Sequence, residues 1–200
     1  MTKTTLPTNF VKHTSKNPLQ KFLINNFYSS LMSLAKPLTP EKILDAGCGE
    51  GFTMEKLEKN RIGKKIEGVE YSKDAIILGK NLFPTLNFKQ GSAYDLPYKD
   101  NAFDLVVCTE VLEHLDQPKK ALSEVLRVSK KYVLISVPNE PFFMFGNFIR
   151  GKNLFRFGND PGHINHWTIP SFLSYLKKNG VKIRKVQLPL PWILVLGEKS

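Results

Sequence analysis

The chain has 200 residues, 42% hydrophobic and 24% charged, enough to close one sizeable core and short for two independent ones. Its formal charge of +11 suits acidic partners such as RNA, phosphorylated metabolites or an anionic membrane surface, or else plain solubility, since the lysines are spread along the chain rather than stacked. Two cysteines, Cys48 and Cys108, exclude a disulfide framework, no zinc spacing occurs, and no apolar run spans a bilayer or forms a secretory h-region, so the expected compartment is the cytoplasm.

Residues 1–16 are polar, threonine- and lysine-rich and aperiodic, which predicts a flexible leader before a single domain over 17–200. Leu19, Phe22, Leu23, Ile24, Phe27, Leu31 and Leu34 then recur at three- and four-residue steps between Pro18 and Pro37, the mark of an amphipathic helix. Strands are predicted at Lys42–Ala46, Ile66–Glu70, Leu86–Gln90, Phe103–Cys108 and Tyr132–Val137, with helices at Phe52–Lys59, Lys73–Leu82 and Pro118–Val128. That alternation implies βαβ units, a mostly parallel sheet covered on both faces, and a ligand beyond the carboxyl ends of the strands. A helix over Ser171–Asn179 precedes Val181–Leu188 and Trp192–Gly197, two strands whose short proline-containing link forces an antiparallel pair. Between them and the parallel part, residues 138–167 form a long aperiodic insertion, expected to act as a lid.

The sharpest local signal is Ile43-Leu44-Asp45-Ala46-Gly47-Cys48-Gly49-Glu50-Gly51, a strand entering a loop with glycine at every second position and then a helix. The backbone must turn tightly there and a ligand must approach without a Cβ in the way. Such a loop alone also fits a dinucleotide site or a plain turn. Asp45 and Glu50, however, would repel a pyrophosphate at the helix N-terminus while suiting a ligand that carries an ammonium and a sulfonium. Glu70, one βαβ step later at a strand end, is placed to accept both hydroxyls of a ribose.

Several further segments follow in order: Val69-Glu70-Tyr71-Ser72, Gly91 to Tyr98, Asn101 to Cys108, Glu110-Val111-Leu112-Glu113-His114-Leu115 and Glu124 to Val128. With the glycine loop they resemble the class I S-adenosylmethionine (SAM)-dependent methyltransferases, in the branch of the UbiE- and UbiG-type quinone-biosynthesis enzymes. The resemblance runs from Leu44 to about Trp167. It implies a Rossmann-like three-layer α/β sandwich whose seven-stranded, mostly parallel sheet has the order 3-2-1-4-5-7-6, the last strand antiparallel. It also implies that Asp45, Gly47, Cys48, Gly49 and Gly51 line the methionine end of SAM, or of its product S-adenosylhomocysteine. Glu70 would hold the ribose and Tyr71 pack on the adenine. Ser92 stands where similar proteins often carry an acid for the adenine amino group, which leaves a hydroxyl and the backbone of Ala93 for that task. Asp95 and Asp104 read as structural.

A SAM methyl is already activated, so the protein mainly aligns the acceptor and excludes water; an oxygen acceptor also needs a base. Glu110, Glu113 and His114 have the spacing of one helical face, where they could bind a divalent metal, or His114 could be the base with Glu113 orienting it. In the plainer alternative Glu110 only shapes the methionine pocket and the other two lie at the surface; no metal is assigned. His163, with His166 close by, can reach over the acceptor or be structural. Phe142, Phe143, Met144, Phe145, Phe148, Ile149, Phe155 and Phe157, interleaved with Arg150, Lys152 and Arg156, suggest a wall around a small or lipid-like acceptor, with contact to an anionic membrane. Methylation of tRNA or rRNA ranks second, for the charge and for bases stacking on such aromatics, and a SAM-binding partner protein without catalysis third.

Overall fold

The computed structural model describes residues 8–140, 142 and 162–200. In chain order the elements are α1 (Thr8–Thr14), α2 (Pro18–Ala35), β1 (Lys42–Ala46), α3 (Phe52–Lys59), β2 (Lys65–Glu70), α4 (Lys73–Leu82), β3 (Asn87–Gln90), β4 (Phe103–Thr109), α5 (Pro118–Val128), β5 (Ser129–Pro138), α6 (Ile169–Lys178), β6 (Val181–Gln187) and β7 (Trp192–Lys199). The strands form one sheet in the order β3-β2-β1-β4-β5-β7-β6, parallel except for β7, which runs antiparallel to both neighbours.

Alternation along each strand decides the layers. Ile43, Leu105, Leu134 and Leu194 face α2, which buries Ile24, Phe27, Leu31 and Leu34 against them. Their neighbours Leu44, Val106, Val133 and Val195 face the opposite way, onto Leu122 and Val125 of α5 and Phe172 and Leu176 of α6. Each such leucine removed from water contributes roughly 1.5–3 kcal/mol, so both faces of the sheet must be covered. Helix α2 starts where expected, because the Asn17 side chain accepts from the Leu19 and Gln20 amides and Pro18 fits the first turn. Two residues of its predicted apolar stripe, Leu19 and Phe22, are exposed instead.

Asp104 serves the structural role expected of it: its Oδ2 accepts from the Glu41 and Lys42 amides at 3.1 and 2.9 Å, joining β4 to the start of β1. Asp95 lies in a turn closed by its amide on the Ser92 carbonyl, 3.1 Å. The predicted leader requires correction from Thr8 onward, where α1 forms and packs on the domain. Its reason is tertiary: seven residues are too few to be helical alone, and contacts described below hold them. Of the aromatic and basic wall predicted within 138–167, Phe143, Met144, Phe145, Phe148, Ile149, Arg150, Lys152, Phe155, Arg156 and Phe157 lie outside the described residues. Phe142 is exposed.

Candidate functional site

The carboxyl ends of β1, β2 and β4 lie side by side, with Ala46 opposite Val69 and Asp45 opposite Val107. From there the glycine loop folds back over β2, the Gly47 and Cys48 amides both donating to the Val69 carbonyl. Gly47 and Gly51 have φ of 81° and 87°, and a Cβ on either would come within 2.5 Å of Val111 or Phe88. Those two glycines are demanded by the fold itself. Gly49, φ 53°, has room for a Cβ apart from Asn9 Nδ2 at 3.1 Å, so its backbone is bared toward the cleft.

Three carboxylates ring this loop. Glu70 Oε2 accepts from the Gly49 amide at 3.0 Å and its Oε1 from the Ser72 amide at 2.8 Å. A carboxylate has lone pairs left after two such bonds, so Glu70 retains capacity for a diol. Asp45 is 1% exposed and its Oδ2 has no hydrogen-bond partner. Burial, and secondarily the charge of Glu70, push its carboxyl up to about 7. Burial likewise raises the Cys48 thiol, which is an apolar wall rather than a nucleophile. Glu50 is buried and accepts from Asn9 Nδ2 at 2.5 Å.

Helix α1 closes one side of the cleft, which sequence reasoning missed. Besides the Asn9–Glu50 bond, His13 stacks on Phe52 with ring centroids 4.2 Å apart, and burial with the nearby Lys12 and Lys56 charges pushes its imidazole down to about 3. Lys12 Nζ lies 3.8 Å from Glu110 Oε2 and 4.9 Å over the Trp192 ring. A cavity results between Lys12, His13, Tyr28, Gly47, Glu110 and Trp192. No pattern in residues 1–16 announced this helix; the only signal is that Phe10, Val11 and His13 can pack on something.

The spacing argument placed Glu110, Glu113 and His114 on one face, and here the structure differs. Glu110 has φ 58° and interrupts the helical path, so the 3-10 turn begins only at Leu112. Its carboxylate points to the α1 cavity, accepting from Ser136 Oγ at 3.1 Å and Trp192 Nε1 at 2.5 Å. Glu113 is fully buried and His114 exposed, so the alternative that made both surface residues fails for Glu113. These two residues are joined instead by His163: ligating atoms of all three lie within 4.8 Å of one another. Glu140, a buried acid that sequence reading passed over, accepts from His163 Nδ1 at 2.9 Å, with His166 Nδ1 3.4 Å from the same oxygen.

Three further expected contacts, Tyr71, Ser92 and Ala93, follow the carboxyl ends of β2 and β3. Tyr71 is 78% exposed. Ser92 Oγ accepts from the Tyr94 amide, 3.1 Å, and Ala93 is half-buried beside it.

An acidic, glycine-lined cleft with one buried unpartnered carboxylate oxygen suits a ligand bearing an ammonium or sulfonium, and Glu70 has acceptor capacity left for hydroxyls. SAM carries an ammonium, a sulfonium and a ribose diol. Residues 44–136 match the model of a methyltransferase domain family. The uncharacterised methyltransferase YcgJ of Bacillus subtilis is 24% identical over 167 residues, covering 78% of this chain and 63% of that protein. The demethylmenaquinone methyltransferase of Renibacterium salmoninarum is 34% identical over 90 residues, 45% of this chain and 37% of that protein. The chain therefore spans less than two thirds of the length of these curated relatives. Among solved structures, the PH0226 protein of Pyrococcus horikoshii shares the fold with a TM-score of 0.73 at 18% identity, covering 92% of this chain and 93% of that one. Among the described residues no helix is long and apolar enough to cross a membrane.

Proposed function

We propose that this chain, which carries a class I SAM-dependent methyltransferase domain, methylates a small or lipid-like acceptor, with oxygen as the receiving atom. The observation that carries the cofactor reading is Asp45: a buried carboxylate with an orphaned oxygen, among Glu50 and Glu70, beside a loop whose glycines bare the backbone. Asp45 and the loop would hold the amino end of the cofactor, Glu70 the ribose, and Tyr71 with Ser92 and Ala93 the adenine. When bound, SAM supplies a methyl carbon activated by its sulfonium.

The acceptor side is read at Glu113, His114 and His163. An oxygen that gains a methyl must lose its proton. His114 Nδ1 lies 2.8 Å from the Gly162 carbonyl, which can only accept, so in the neutral ring the hydrogen sits on Nδ1 and the Nε2 lone pair is the atom able to take that proton. The similarity to a demethylmenaquinone methyltransferase supports a lipid-like acceptor. Calorimetric titration with S-adenosylhomocysteine tests the cofactor half. Saturable binding is expected and should be lost in Gly49→Val, where a Cβ has more room than at Gly47 or Gly51 although φ 53° strains any side chain there. NAD, whose pyrophosphate the three acids repel, should not bind; if it binds and S-adenosylhomocysteine does not, the reading is wrong.

A further inference from the structure

We infer that the amino edge of the sheet, opposite the glycine loop, is a docking surface for the phosphate backbone of RNA. The lysines are spread along the sequence, but the topology gathers many of them. Strands β1 to β6 all run the same way, so the connections that enter them meet at one edge, together with the end of the antiparallel β7. Register sets Lys42 beside Lys65, Lys182 beside Glu198 and Lys199 beside Val181. Lys36 and Arg61 stand in the connections into β1 and β2, and Lys177 and Lys178 lie just before β6.

The acids of this edge are already engaged. Glu41 pairs with Lys64 at 2.5 Å, and Glu198 with Arg184 at 2.5 Å and Lys131 at 3.9 Å. Asp104 accepts from the Glu41 and Lys42 amides, with Lys130 Nζ 3.5 Å away. Among the described residues Lys36, Lys42, Arg61, Lys177, Lys178 and Lys182 have no ion-pair partner, and all six are exposed. The dipole of a helix C-terminus favours Lys177 and Lys178, but Lys42 and Lys182 begin strands and are not explained by it. Like charges gathered on one edge repel one another until an anion lies over them. The opposite edge has the reverse character, with Asp45, Glu50, Glu70, Glu110, Glu113 and Glu140 at or past the carboxyl ends of β1, β2, β4 and β5.

The shape of the cationic surface selects the partner. From β2 across to β6 the edge takes five inter-strand steps of about 4.8 Å, a row on the order of 24 Å long. A row fits a linear polyanion, whose charges recur along its length. Anchoring in a bilayer requires apolar side chains that insert. Among the described residues, Leu82, 38% exposed, is the large exposed hydrophobic on the connections entering this edge. A bilayer bound here would also face away from the cleft.

Contacts to phosphate position a nucleic acid without reading its bases, so binding at this edge tolerates any sequence. The five residues of β1 put the glycine loop about 17 Å from the edge. RNA held there anchors the chain and is not the group on which the cleft acts. The inference does not depend on which ligand the cleft holds.

Fluorescence anisotropy with a labelled oligouridylate of about 20 nucleotides, between about 50 and 200 mM salt, tests this. Six phosphates on a single strand give a log–log salt slope of about −4 in the wild type. The edge variant Lys42→Gln/Lys177→Gln/Lys182→Gln should bind at least about tenfold more weakly, with a slope shallower by about 2. The control Lys16→Gln/Lys21→Gln/Lys119→Gln loses the same charge beside α1 and at the start of α5, and should stay within about threefold of the wild type. Oligoadenylate should bind within about threefold of oligouridylate. All six substituted side chains are exposed, so both variants should keep the wild-type melting temperature. Equal weakening in edge and control variants would overturn the inference, because net charge and not this edge would then carry the binding. A wild-type slope shallower than about −1.5 would overturn it too. So would phosphatidylglycerol-containing vesicles that bind with the edge variant's sensitivity while the oligonucleotide does not, since the edge would then be a membrane face.

Discussion

Asp45 ties the cofactor cleft to pH. Its carboxyl ionises at about 7 in the folded protein against an ordinary 3.8, chiefly through burial. Between those values the folded chain holds a proton that the unfolded chain has lost, so raising the pH through this window costs stability, with none of that cost below the ordinary value and all of it above about 7. An ammonium or sulfonium bound beside Asp45 favours the ionised form and expels the proton. Titration with S-adenosylhomocysteine near neutral pH, in buffers of different ionisation enthalpy, should therefore show net proton release that disappears in Asp45→Asn. Glu113 is also shifted upward, by burial and then by Glu110, but on the proposed acceptor side it should not contribute to that difference. Residue identity made the glycine loop and its acids readable in advance, because only glycine accepts φ near 80° where a Cβ collides, and because acids at a ligand-facing helix N-terminus are against the usual phosphate chemistry.

Most of the elements were legible from periodicity. The glycine loop's flanking elements β1 and α3 begin and end where the pattern predicts, as do α4 and α5. Strand β5 extends three residues further back, to Ser129, because pairing with β4 continues past its apolar core. Helix α1 was not legible: it has no acidic first turn and too few residues for a period, and its partners Glu50, Phe52 and Glu110 are distant in sequence. Its role yields a prediction. Lys12 is the cation lining the described α1 cavity, beside the expected methionine end, so Lys12→Met should weaken S-adenosylhomocysteine binding about tenfold. Binding of 5′-methylthioadenosine, which lacks the amino-acid carboxylate, should be unchanged. Removing residues 1–14 should have the same selectivity and move the melting temperature little, since α2 rather than α1 covers the sheet.

For the molecule as a whole, 29 basic against 18 acidic side chains give a field that attracts any polyanion. Retention of tRNA in filter binding is expected at low salt and should fall steeply, by about a thousandfold or more between 50 and 200 mM if six or more phosphates are neutralised. Affinity that survives at 200 mM would move RNA from incidental partner to acceptor. The charge is a property of composition and decides no site by itself.

By itself the sequence determined the binary pattern that makes a doubly covered sheet, the antiparallel tail, and the loop where a sulfonium cofactor fits, since each rests on nearest neighbours and on backbone angles that few residues accept. Only the tertiary structure decided the rest. The left-handed turn at Glu110 separates that acid from Glu113 and His114, and His163 is carried to them by a segment some fifty residues away in the chain, anchored through Asn165. A buried carboxyl without a hydrogen-bond partner, as at Glu113, is visible only once the packing around it is known.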